Sequence, residues 1–171
     1  MKKLIVYLSV ALIAVFAVSA CGLARMTAED KAKIEQSVQD NLTAKDFTVL
    51  IQLMMPPVGA SRAVSNYSVQ VKGDTLVSYL PYMGQAYNLP YGGGKGLDFT
   101  AKIGHYHDQV LQDGNHNVII NLFNGEDVFV YNFNISPSGS AFLTVSSRNR
   151  QTISYTGEMY LPGRTGGVAL V

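Results

Sequence analysis

From Asp46 onward, apolar side chains recur at every second residue, and this period of two governs what the chain can fold into. Phe47, Val49, Ile51, Leu53 and Met55 alternate along one run until Pro56-Pro57 stops it. Tyr67, Val69 and Val71 alternate with Ser68, Gln70 and Lys72, Gly73-Asp74 makes a turn, and Leu76 to Leu80 runs back. Leu97, Phe99, Ala101 and Ile103 alternate with Asp98, Thr100 and Lys102. Such alternation predicts antiparallel strands with one apolar and one solvated face. Asp113-Gly114-Asn115 and Asn124-Gly125 are hairpin turns. Across the second of them, Val118, Ile120 and Leu122 share a face with Phe129, Tyr131 and Phe133, which marks the core side. Asn117, Asn121, Asn132 and Asn134 occupy the other face. Ala141, Leu143 and Val145 form a further strand, and Ile153, Tyr155 and Met159 a last one, with Gly157 at a bulge. The fold class is therefore mainly β: an antiparallel meander of eight or nine strands forming a curved sheet or incomplete barrel. Short sequential links favour a meander over crossings.

One helix precedes the strands. Thr27 is a capping residue, Glu29 and Asp30 suit the positive end of the helix dipole, and Ile34, Val38 and Leu42 form one stripe. The spacing predicts a helix over 28–44 whose stripe packs on the domain and closes the open side of the sheet.

The segment before it is an address. Lys2 and Lys3 precede an apolar run from Leu4 to Val18, followed by small residues up to Cys21. That run is too short for a stable span and reads as an export signal, residues 1–20. Val18-Ser19-Ala20-Cys21 resembles the bacterial lipobox, which makes Cys21 the lipidation site. Gly22 is not the Asp that retains lipoproteins in the inner membrane, and no acidic run follows. The expected location is the outer membrane, lipid-anchored, on the periplasmic face. The mature chain then divides into a lipidated tether at 21–26, a single β-rich domain at 27–162 and a loose tail at 163–171.

Charge and composition exclude several classes. The chain of 171 residues has 13 Lys and Arg against 12 Asp and Glu, and its two leader lysines are removed with the signal. The near-neutral remainder carries no field to gather nucleic acid. At 47% hydrophobic and 15% charged, it is too apolar to stay disordered. A single Cys rules out a disulfide framework and a Cys-rich zinc site.

Three stretches together resemble a known family: Ser78-Tyr79-Leu80-Pro81-Tyr82-Met83-Gly84, then Tyr91-Gly92-Gly93-Gly94 through Phe99, and Ser147-Arg148-Asn149-Arg150-Gln151-Thr152-Ile153-Ser154-Tyr155-Thr156-Gly157. The set is similar to lipoproteins of the Bacteroidetes grouped as domain of unknown function 4251, over about Phe47 to Pro162. The resemblance implies a small secreted or lipidated domain and carries over no catalytic residue.

Few constellations suggest chemistry. His105 and His107 share a strand face, a start for a zinc or copper site, but a third ligand is missing, so no metal is expected. Asp98 has the wrong parity unless Gly104 bulges. Hairpin parity places His107 and Gln109 on the side of Ile120 and Phe129. With Tyr67, Tyr131 and Tyr155 directed to the same interior, this suggests a cavity. No nucleophile elbow is present, and lipid takes the only thiol. Glu126-Asp127 flanks a turn, Gly92-Gly93-Gly94-Lys95-Gly96 lacks phosphate-loop spacing, and Arg148 and Arg150 flank a turn that could grip a carboxylate.

The connection from Pro81 to Gly96 is long for a chain of tight turns, and it holds Tyr82, Tyr87 and Tyr91. Tyrosine offers contact area at low entropy cost with a polar tip. Either these residues plug one end of the sheet or they contact a ligand or partner, with His107 as a further contact. The expected function is a non-enzymatic binding or envelope-assembly module with no catalytic residue and no cofactor. Its partners are the membrane, through Cys21, and an envelope protein or small amphipathic ligand, without nucleic acid. A carrier with a cavity inside the sheet and an envelope glycan hydrolase are the alternatives. A packed interior favours the first reading, an apolar cavity the second, and a cleft with two facing carboxylates the third.

Overall fold

The computed structural model describes residues 27–87 and 96–162. One helix, α1 (Ala28–Ala44), precedes eight strands: β1 (Asp46–Met55), β2 (Arg62–Lys72), β3 (Thr75–Leu80), β4 (Leu97–Val110), β5 (His116–Phe123), β6 (Val128–Ile135), β7 (Ser140–Ser147) and β8 (Ile153–Met159). Each strand pairs antiparallel with its sequence neighbours, and β1 also pairs with β8, so the meander closes into a barrel. Closure leaves no free edge. Alternation fixes which face of a strand is apolar but not which strands meet, so an incomplete barrel and a closed one look alike in sequence. The leader, Cys21, the tether and the tail lie outside the described residues, as does Tyr91.

The helix starts on a reciprocal cap. The Asp30 amide donates to Thr27 Oγ1 at 3.1 Å, while the Thr27 amide and hydroxyl donate to Asp30 Oδ2 at 3.1 and 2.7 Å. Farther along, Val38 and Leu42 are buried and Ile34 is half-buried. Burying Val38 and Leu42 contributes roughly 1.5–3 kcal/mol each. Lys45, with φ 53°, ends the helix in the left-handed region. The Gly73 amide donates to the Lys45 carbonyl at 2.8 Å, and the Tyr106 hydroxyl to the Leu42 carbonyl at 2.9 Å. The C-terminal half of α1 thus sits at the barrel end where β1 begins, the helix end. The opposite end, where the β1–β2, β3–β4, β5–β6 and β7–β8 connections lie, is the mouth.

Two local features depart from strict alternation. In β1 the register shifts between Ile51 and Leu53 against both neighbouring strands. Met54 is therefore buried, whereas Leu53 and Met55 are only half-buried. The extra residue stands on the strand facing Gly157, not in β8 itself. A Cβ built on Gly157 would collide with the Leu50 carbonyl oxygen, so the bulged β1 backbone fits only against a glycine.

The second departure corrects the predicted parity of the β4–β5 hairpin. Val110 pairs with His116, so the connection spans residues 111–115, closed by the Leu111 amide donating to the Asn115 carbonyl at 2.7 Å. An odd loop reverses the parity that a two-residue turn would give. His107 and Gln109 pair with Ile119 and Asn117 and face outward, while Tyr106 and Asp108 pair with Ile120 and Val118 and face in. The register also shifts between Ile103 and His105, the bulge that Gly104 permits. It brings Asp98 and His105 onto one face, but seven residues along a strand is about 23 Å.

The barrel interior is filled. Tyr131, Tyr155, Phe129 and Phe133 are fully buried, with Phe99 packed 4.9 Å from Phe129 and Phe47 5.8 Å from Phe133 between ring centroids. Val118, Ile120, Leu122, Leu143 and Val145 complete this layer. The expected cluster around Ile120 is the core. Tyr67 is half-buried, with its ring 5.1 Å from that of the exposed Tyr79. Two interior hydroxyls are satisfied in series, Tyr131 donating to Ser78 Oγ at 2.8 Å and Ser78 to the Leu97 carbonyl at 2.7 Å, whereas the buried Ser147 Oγ has no partner among the described residues. Apolar inside and amide-rich outside is the reverse of the pattern in a membrane-spanning barrel.

Candidate functional site at the barrel mouth

The long β3–β4 connection crosses the mouth. Ala86 bridges to Arg150 in the β7–β8 connection. The Tyr87 amide donates to the Asn149 carbonyl at 2.7 Å, and the Gln151 amide donates to the Gln85 carbonyl at 3.0 Å. The Gln85 amide in turn donates to Gln151 Oε1 at 3.0 Å. Residues 85–87 thus form a short ladder with 149–151. The ladder joins the residues just after the Ser78–Gly84 stretch to the Ser147–Gly157 stretch.

Tyr82 anchors the crossing. Its hydroxyl hydrogen is shared between the carbonyls of Gln85 at 3.0 Å and Gln151 at 3.1 Å. The Arg150 guanidinium lies 5.6 Å from its ring centroid. Burial raises the Tyr82 phenol above its ordinary pKa, opposed by the positive charge of Arg150, so it stays a donor at neutral pH. Beneath it, Tyr82, Leu97, Phe129, Val145, Arg150 and Ile153 help to line a crevice too narrow for a water molecule. Arg150 covers an aromatic ring at this turn, and Tyr82 packs as part of the plug.

Tyr87 is different. Its backbone is held by Asn149 while its side chain is 62% exposed. Val58, 81% exposed, and Met83, 39% exposed, belong to connections at the same end. The predicted contact residues therefore divide. Tyr82 and Tyr87 stand at the mouth, one in the plug and one on its surface. His107 stands on the outer wall, ten residues along β4 from Leu97, with its ring stacked on that of His105 at 6.4 Å between centroids. Among the described residues, no three of His, Cys, Asp and Glu are grouped to hold a metal.

Most carboxylates near these features are engaged in the fold. Asp127 is buried; its Oδ1 accepts from the Val128 amide at 2.8 Å and its Oδ2 from the Asn149 amide at 3.4 Å. It ties the β5–β6 turn to the β7–β8 connection. At the helix end, Asp108 Oδ1 lies 3.0 Å from Nδ1 of the buried His116. This pair was hidden in the sequence, because a two-residue turn directs Asp108 outward. Counting Leu111 to Asn115 as a five-residue loop is the signal that would have found it.

The fold defines the class, a small helix-capped β-barrel domain. The model of the family "Domain of unknown function (DUF4251)" matches residues 29–159, which takes in α1 from its second residue and all eight strands, and the chain belongs to that family. The crystal structure of a DUF4251 family protein from Bacteroides eggerthii DSM 20697 is similar, with a TM-score of 0.58 at 16% sequence identity. The similarity covers 75% of this chain and 87% of that one, and shows a shared fold. None of the curated proteins matches the chain.

Proposed function

We propose that this chain is a membrane-tethered periplasmic lipoprotein, held in the outer membrane by lipid on Cys21, that binds a partner and catalyses no reaction. The observation that carries the reading is the filled interior. Tyr131, Tyr155, Phe129 and Phe133 occupy the space that an eight-stranded barrel could offer a small ligand. This weighs against a carrier and moves recognition to the outer surface. The use of Asp127 and Asp108 in the structure weighs against a glycosidase, which needs two carboxylates facing a substrate.

The mouth supports contact with an envelope protein. Tyr87 is a large amphipathic side chain on a backbone already fixed to Asn149, so little order has to be gained on binding. Tyr91 belongs to the same connection and is proposed as a second contact. Two measurements test the reading in the native host. Cys21→Ala is expected to leave the membrane fraction, and retention through high-salt and carbonate washing refutes the lipid anchor. A photo-crosslinking residue replacing Tyr87 is expected to capture one defined envelope protein that the same residue replacing Thr144, on the wall, does not. Identical capture from both positions refutes the mouth as the contact.

A further inference from the structure

The outer wall differs from the mouth in chemistry. β5, β6 and β7 contain no Asp, Glu, Lys or Arg at any position. Their outward positions hold amides at Asn117, Asn121, Asn132 and Asn134 and hydroxyls at Ser140, Thr144 and Ser146, interspersed with the apolar Ile119, Phe123, Val128, Val130 and Phe142. A solvated sheet face usually carries charges of both signs for solubility, so three consecutive uncharged strands are a departure. The amide oxygens of Asn117 and Asn121 are screened from solvent and accept no hydrogen bond from the described residues. On β5 the fold thus leaves two amide acceptors without a partner.

Toward the helix end this wall is concave. A groove of about 400 Å³ is lined by residues of β6, β7 and β8 together with Gln52 of the β1 bulge. Phe142, 44% exposed, is the one aromatic side chain of its lining. Phe142 pairs across β6 with Asn134 and across β8 with Thr156. One cross-strand row thus places a carboxamide on one side of an aromatic ring and a hydroxyl on the other, each about 4.8 Å away in the strand-to-strand direction. Ser136 and Ser140 add hydroxyls, and Glu158 is the single charged group.

We propose that this groove binds a neutral oligosaccharide. A pyranose has an apolar C–H face and a rim of hydroxyl groups. The first matches the exposed Phe142 ring, and the second matches amides, hydroxyls and one carboxylate, which accept and donate at the spacing of the sheet. The groove volume is in the range of small-molecule sites. Charge decides against other ligands. No cation lines the groove to hold a phosphate or a uronate, and Glu158 repels both. One half-buried carboxylate is too little to hold a polycation. The uncharged wall beyond Asn134 gives a longer glycan a surface on which to continue. This inference rests on the reading of the chain as a binding domain whose recognition is external, and it names a ligand class for a second face.

The test uses the intact folded domain with cellohexaose, maltohexaose and mannohexaose, titrated by calorimetry to about 5 mM, the weak end of measurable affinity. A hexamer of galacturonic acid and a neutral Gly-Ser peptide of similar length serve as comparisons. Saturable binding of at least one neutral hexaose is expected, weakened at least about tenfold by Phe142→Ala and by Asn134→Ala, with the thermal midpoint unchanged because both side chains face outward. The proposal is overturned if none of the three binds, if Phe142→Ala binds equally well, or if the anionic sugar or the peptide binds more tightly. Release of new reducing ends from a bound hexaose would refute the non-enzymatic reading and leave the groove assignment standing. A Tyr87→Ala variant that loses its envelope partner but keeps the sugar would separate the two surfaces.

Discussion

The Tyr155 hydroxyl donates to the Pro81 carbonyl at 2.6 Å, joining the interior of the last strand to the first residue of the longest connection. Burial raises the Tyr155 phenol well above its ordinary pKa, so the group remains a donor throughout the physiological range. The bond holds the start of the mouth crossing against the barrel wall, and Tyr82 follows directly. Tyr155→Phe keeps the ring and removes only this bond, leaving a shielded carbonyl without its partner. The expected loss is about 1–3 kcal/mol by urea denaturation. An unchanged midpoint would show that the connection is held by the 85–87 ladder alone.

Gly157 should tolerate no side chain. Its missing Cβ is the space into which the Leu50 carbonyl of bulged β1 fits, and that contact is backbone and cannot rotate away. Gly157→Ala must therefore push β1 from β8 at the seam that closes the barrel. A loss of about 3 kcal/mol or more is expected, or failure to fold, against roughly 0.5 kcal/mol for an ordinary surface change. Gly125→Ala, in open space at φ 94°, is a suitable comparison because it strains only a turn.

Alkaline pH should destabilise the domain through its interior phenols. Burial raises the pKa of both Tyr131 and Tyr155 above the ordinary 10.0. The folded chain thus holds protons that the unfolded chain releases. Below about pH 10 both states are protonated and the contribution is complete; above it, stability falls as pH rises toward the folded values. The slope is about 1.4 kcal/mol per pH unit for each such tyrosine. In Tyr131→Phe, Ser78 still donates to Leu97, so the cost at neutral pH is about 1 kcal/mol or less. The descent above pH 10 becomes shallower by one tyrosine's share. Thermal midpoints measured from pH 8 to 11 check this, and equal slopes would show that Tyr131 ionises without unfolding.

Alternation made most of this barrel legible, because each inward residue of β5, β6, β7 and β8 obeys it. Thr27 and the stripe of Val38 and Leu42 likewise defined α1. What alternation cannot express is a change of phase. The β1 bulge put Met54 inside, and the five-residue loop at Leu111–Asn115 put Asp108 inside and His107 outside. Both follow from backbone geometry at one or two residues, where a glycine or a turn accepts several conformations. The mouth was legible as a tyrosine-rich connection, but its ladder with 149–151 was not, since the two segments are over sixty residues apart and pair through backbone atoms. The groove at Phe142 was legible only in part: the alternation of Ala141, Leu143 and Val145 turns Phe142 outward, but that β6 and β8 flank its ring with Asn134 and Thr156 depends on register between strands.

The hairpin register itself can be tested with two substitutions. Ile120 is fully buried and pairs with Tyr106 on one side and Tyr131 on the other. Removing its side chain to the β carbon leaves a cavity between two large rings that the closed sheet cannot collapse. Ile120→Ala is therefore expected to cost about 2–5 kcal/mol. His107 pairs with the outward Ile119 and stacks only on His105, so His107→Ala should change stability by no more than about 0.5 kcal/mol. The two-residue turn makes the opposite assignment for His107, placing it beside Ile120 where truncation would be costly. Urea denaturation of both variants separates the registers: a large loss from His107→Ala would mean that β4 is turned one residue from the arrangement described, with Tyr106 and Asp108 outside.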